Sequence, residues 1–263
     1  MTYSRRYRAR MAYKLGLKAP VPGAIPLRLA TYMDFHQLPT PPAVFGHYQL
    51  ISDWGMLAND QLGDCAIAGA CHQTMLWTLE GSGVAASFDD TAAITNYSAI
   101  TGYNPDDPST DEGTALGQLA AYWRTYGIVD AAGKRHKVAA VVDINPGDLR
   151  ELWVSSWLFQ AVGLGYLMPQ SAMDQTAAGK PWNPVRGSPI EGGHYVPLMG
   201  RNPAGNGVII TWGQTQEVTP AFHKKYNDQG IAALSEEMLD KAASVDGFNE
   251  TLLKQDLATI GLP

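Results

Sequence analysis

The run from Cys65 to Leu79, CAIAGACHQTMLWTL, restricts the fold more than any other stretch of the chain. It is made mostly of small and apolar residues, contains no proline, and reads as a largely buried helix that ends near Gly81. A helix without a broad polar face has to be covered by other elements. The chain can supply that cover, because 45% of its 263 residues are hydrophobic and 17% are charged. This length suits one large domain, or two tightly packed subdomains around a shared cleft. The 27 glycines and 17 prolines imply long connections and many turns.

Proline dictates what precedes the helix. Six prolines, at 20, 22, 26, 39, 41 and 42, make residues 19–50 an extended strap with little regular structure. A second helix is expected over Thr114 to Tyr126, stopped at Gly127, with an acidic surface loop over residues 104–113 before it. That loop lacks the spacing of a calcium-binding helix–loop–helix and reads as solvated. Lys137 to Ile144 reads as a strand. Asp148 and Glu151 read as the reciprocal N-cap pair of a helix carrying Trp153 and Trp157. Residues 161–167 form the next strand, and an irregular stretch runs to Gly193. Strands follow at His194 to Gly200 and Gly207 to Trp212, with helices beginning at Ser235 and Asn249. Helices come first and a mostly β half second, an α+β order.

Charge divides the chain unevenly. The formal net charge is -6, yet residues 1–18 carry Arg5, Arg6, Arg8, Arg10, Lys14 and Lys18 and no acid. A basic arm on an acidic body is expected to bind an acidic surface, on the body itself, on a second copy or on an assembly partner. The acidic body makes nucleic acid an unlikely partner. No apolar run reaches the roughly 20 residues of a membrane span. No secretory signal is recognisable, so the expected location is cytoplasmic or virion-associated. The two cysteines, Cys65 and Cys71, lie too far apart on one helix for a disulfide. Cys71 and His72 lack the further ligands of a zinc site, and no metal or cofactor is expected.

The residues with chemical promise surround Cys65. In Asn59-Asp60-Gln61-Leu62-Gly63-Asp64-Cys65, Gly63 permits a tight turn and Cys65 begins the buried helix. The free N–H groups and positive end of a helix favour a thiolate there. Asp64 can cap the helix, but its charge opposes ionisation of the adjacent thiol. His194 follows 129 residues later in Gly192-Gly193-His194-Tyr195, where two glycines allow close approach to a helix end.

GDCAIAG, then GGHYVPLMGRN, then IITWGQ, together resemble the segmented pattern of papain-like cysteine peptidases. They are also similar to uncharacterised bacterial and bacteriophage proteins of that fold. The resemblance covers about residues 50–215. It implies an α+β papain-like domain over 51–263, behind a basic arm and strap over 1–50. The helical part would span about 51–130, the β part about 131–215, and a helical addition about 230–259. It further implies that Cys65 is the nucleophile, His194 the general base and acid, and Gln61 the oxyanion donor beside the Cys65 N–H. Trp212 and Gly213 resemble the tryptophan–glycine pair next to the third catalytic residue. Ile210 falls at the position of the usual asparagine and cannot orient an imidazole, which leaves Thr211, Gln214 or a backbone carbonyl. The implied activity is hydrolysis of a peptide or related amide bond in an extended substrate. The competing expectation is a non-catalytic structural or attachment protein of a phage-related or oligomeric assembly.

Overall fold

A computed structural model describes residues 13–35, 38 and 40–239. Helix α1, Cys65–Ser82, is buried along nearly its whole length and ends on Gly83, whose φ of 80° closes the last turn in the left-handed region. Around it lie α2, Asp90–Thr101, and α3, Leu116–Thr125. Asp89 caps α2 by accepting the Ala92 N–H. A short hairpin of β1, Ile128–Val129, and β2, Arg135–His136, closes this helical lobe.

The second lobe is a six-stranded, wholly antiparallel sheet. Its strands are β3, Val138–Asp143, β4, Val162–Pro169, β5, Ile190–Arg201, β6, Gly207–Thr211, β7, Gln214–Val218, and β8, Asn227–Ser235. The spatial order is β3-β8-β4-β5-β6-β7, so the last of the described strands inserts between β3 and β4. Helices α4, Leu149–Leu158, α5, Gln170–Ala177, and α6, Pro220–Tyr226, accompany it, and α7, Glu236–Leu239, follows β8.

Side chains alternate along each strand, and both faces of the sheet are covered. Val141, Tyr195, Ile210, Ile231 and Ala233 join one core with α1, α2 and α3. Val142, Val196, Leu198, Ile209 and Ala232 join a second core with Trp153, Trp182 and Phe222. Tyr195 locks α1 to the sheet. A Cβ on Gly69 would lie 2.5 Å from the Tyr195 ring, and one on Gly163 would lie 1.8 Å from its hydroxyl. That hydroxyl donates to Gln73 Oε1 at 2.7 Å.

Several sequence expectations need correction. The stretch read as irregular before Gly193 contains α5, and the region about 230–259 assigned to a helical addition begins inside β8. The β half therefore extends past residue 215 to Ser235. Asp148 does cap α4, accepting the N–H groups of Arg150 and Glu151, but the Glu151 carboxylate turns to Asn145, so the pair is not reciprocal. The helix expected from Ser235 is present as α7 and begins one residue later, because Ser235 closes β8. The helix expected from Asn249 and arginines 5, 6, 8 and 10 lie outside the described residues.

Candidate active site

Cys65 is the first residue of α1 and is buried. Its Sγ accepts the Tyr195 backbone N–H at 3.4 Å, which places the sulfur against β5 one residue beyond His194. Burial pushes the thiol up to about 12, against the N–H donors that favour its charge. Asp64, immediately before it, is also buried, and burial raises its carboxyl well above the ordinary range. Asn59 Nδ2 donates to Asp64 Oδ1 at 3.0 Å, while Oδ2 has no hydrogen-bond partner. The charge expected to oppose the thiolate is thus itself suppressed by burial.

His194 lies on β5 opposite Tyr166 of β4. Tyr195 faces α1, whereas the His194 ring sits on the other side with Trp182 and Trp212. Its Nε2 is 2.7 Å from Thr211 Oγ1. Trp212 stacks on the ring, centroids 4.4 Å apart and planes 16° from parallel. Nδ1 is buried without a hydrogen-bond partner, and burial pulls the imidazole down to about 3. The thiol of α1 thus meets β5 at the residue next to His194, and the buried Nδ1 of that histidine makes no hydrogen bond to it.

Strand alternation separates the candidates for the third position by the side to which each points. Ile210 is buried in the core against α1, and Thr211, the next residue, faces His194. Gln214 opens β7 with an exposed side chain. Gln61 is exposed on the turn before α1. Trp212 and Gly213 make the turn out of β6, both with positive φ, 47° and 72°.

Sequence reasoning missed how the preceding loop is held. Asp111, in the supposedly solvated acidic loop, accepts the Gly63 N–H at 3.0 and 3.2 Å through its two oxygens. It also accepts the Tyr97 hydroxyl at 2.7 Å and pairs with Lys14 at 3.5 Å. Lys18 pairs with Glu112 at 3.6 Å. Residues 14–18 thus lie between the lobes: Gly16 and Leu17 donate to Gly193 O, and Thr114 N donates to Gly16 O. Nothing in the local sequence marks these partners: Tyr97 is 14 residues from Asp111, and Gly63 is 48 residues away.

His72, the histidine of α1, is 3.0 Å from Trp54 O through Nε2. Among the described residues no group of three His, Cys, Asp or Glu side chains is placed to hold a metal, and no helix is long and apolar enough to cross a membrane.

No family model and no curated protein matches the chain. Solved structures do. The fold is similar to that of xylellain, a cysteine protease from Xylella fastidiosa, with a TM-score of 0.53 and 13% identity over 86% of this chain and 96% of that one. It is also similar to procathepsin B S9 from Trypanosoma congolense, with a TM-score of 0.56 and 12% identity over 87% and 88%. Procathepsin L 3 of Tenebrio molitor larval midgut gives a TM-score of 0.56 and 11% identity over 86% and 77%. The chain has the two-lobed α+β fold of papain-like cysteine proteases, a helical region packed on a mostly antiparallel sheet.

Proposed function

We propose that this chain is a thiol hydrolase that cleaves a peptide or related amide bond through Cys65 and His194. One observation carries the reading: a cysteine at the start of a buried helix meets the N–H of the residue after a histidine whose far nitrogen is hydrogen-bonded to Thr211. With Nε2–H donating to Thr211, Nδ1 keeps a free lone pair, and it becomes the acceptor for the Cys65 proton once departure of residues 14–18 lets the imidazole turn toward the sulfur. The resulting thiolate attacks the carbonyl carbon, the C–N bond breaks, and His194 protonates the leaving amine. Water then hydrolyses the thioester, giving its proton to His194 and releasing the acid and the thiol. The Cys65 N–H and the exposed Gln61 amide supply the oxyanion donors.

In the arrangement described, both groups are buried, and burial favours their neutral forms. The reaction therefore requires residues 14–18 to leave, admitting water and substrate. The same burial is what favours the second reading, a non-catalytic structural or attachment protein of a phage-related or oligomeric assembly.

A Lys14→Glu/Lys18→Glu variant separates the two. Like charges opposite Asp111 and Glu112 should loosen the segment. Incubation with a peptide library followed by acid quenching should then trap an acyl adduct on Cys65 that His194→Ala abolishes. A folded variant with solvent-reactive Cys65 and no adduct would support the structural reading.

A further inference from the structure

Residues 14–18 cross the cleft as an extended ribbon bonded to both lobes. Gly16 N and Leu17 N donate to Gly193 O of β5 at 3.2 and 3.0 Å. On the helical side, Thr114 N donates to Gly16 O at 2.8 Å and Lys18 N donates to Thr114 O at 3.0 Å. Gly16 lies near enough to Cys65 that its backbone N–H is one of the groups favouring a charged sulfur there. A peptide-like segment therefore already occupies the space beside the thiol, presenting an N–H rather than a carbonyl carbon.

The contact at Gly16 is narrower than any side chain allows. A Cβ there would lie 1.8 Å from Gly63 O, 2.2 Å from Gly63 C and 2.4 Å from Gly63 Cα. These are backbone atoms, so no rotamer change relieves the overlap. Gly63 is itself fixed by the two Asp111 contacts. The walls are equally bare. A Cβ on Gly113 would lie 2.1 Å from Gly16 O, and one on Gly193 would lie 2.2 Å from Leu17 O. Gly16 is absent from the left-handed glycines, so its missing side chain answers to space and not to φ. Leu15 packs on Gly192, Leu17 is buried against Gly165 and Gly193, and the flanking lysines meet Asp111 and Glu112.

We propose that this cleft selects extended peptides with glycine at the pinch between Gly63, Gly113 and Gly193. Leucine-like residues flank that glycine and basic residues lie beyond them, and Lys14–Lys18 is the resident copy. The proposal rests on the reading of this cleft as a peptide-cleaving site, but it concerns recognition and is read without turnover.

The test uses the full chain with Gly16→Ala, whose added methyl should expel the ribbon. Alkylation of Cys65 by iodoacetamide, followed by peptide mapping, should be at least tenfold faster than in the parent, with the buried Cys71 unlabelled as a check on folding. Added KLGLK peptide should restore protection. The same peptide with alanine at its centre should need at least tenfold more to protect equally. If Cys71 also reacts, the variant has unfolded, and the Lys14→Glu/Lys18→Glu variant takes its place in the same competition. Equal protection by the two peptides would overturn the proposal, as would a folded Gly16→Ala protein with Cys65 still as protected as in the parent. A His194→Ala background isolates the claim, since it removes hydrolysis and should leave the glycine preference intact.

Discussion

The indole of Trp212 is held between the imidazole of His194 on one face and the phenol ring of Tyr13 on the other, at centroid distances of 4.4 and 4.2 Å. Its Nε1 donates to Lys14 O at 3.3 Å. The residue that covers the histidine is thereby also a mooring for the segment that fills the cleft. Departure of the ribbon strips one face of the indole while leaving the other stacked on His194.

Thr211→Val should leave both ring nitrogens of His194 without a partner. If His194 is the base, loss of the fixed tautomer should lower turnover by roughly a hundredfold or more. Thr211→Ser should retain most of the activity because the hydroxyl remains. A merely structural Thr211 would shift the thermal midpoint alone, so turnover against pH is the measurement that decides.

Gln61→Ala should reduce kcat by roughly 10- to 1000-fold with little change in KM, because oxyanion charge develops mainly in the transition state. Steady-state kinetics on a cleavable peptide would check this. A change confined to KM would assign Gln61 to substrate binding instead.

Acid should destabilise the fold in a defined window. His72, His194 and His223 are buried, and burial lowers them from 6.5 to about 4, about 3 and about 3. The unfolded chain then binds more protons than the folded one below pH 6.5. Their stabilising effect is complete above that value and is lost as pH falls toward 4 and then 3. The urea midpoint should decline through that window. His72→Gln, which keeps a donor for Trp54 O, should flatten part of the decline. An unchanged midpoint between pH 6.5 and 4 would refute the argument.

Asp111→Ala should cost stability because it leaves the Gly63 N–H and the Tyr97 O–H without an acceptor, at about 1–3 kcal/mol for each buried donor left unpaired. Urea denaturation would measure the loss. Faster alkylation of Cys65 at the same time would show that the turn before α1 has loosened.

Much of this arrangement was legible in the sequence, and what was not has identifiable causes. The GDC turn into a small-residue helix, the GGH entry to a strand and the Trp-Gly turn are local signals, and each marks an element that the fold contains. Thr211 could be named as a candidate but not chosen, because the side facing His194 depends on strand alternation against a particular neighbour. β8 escaped because Gln229 to Ser235 is buried on both faces, leaving no alternation to read, and its alanines favour a helix. Gly230 explains why the chain can pass there at all: a Cβ would lie 2.5 Å from Ile144. The Asp111 contacts escaped because a carboxylate in an acidic loop looks solvated until its distant partners are placed.

The insertion of β8 between β3 and β4 ties sheet assembly to the order of synthesis. Strands β3 and β4 leave the ribosome well before residues 227–235, yet neither can make its native pairing with β8 until those residues follow. Until then each carries an open edge, the kind of surface that attracts a foreign strand. A ribosome paused before residue 227 would hold a half-built sheet, and a chain released there would lack the strand that joins its two sides. Emergence of Ser235 is the moment at which this lobe can first close.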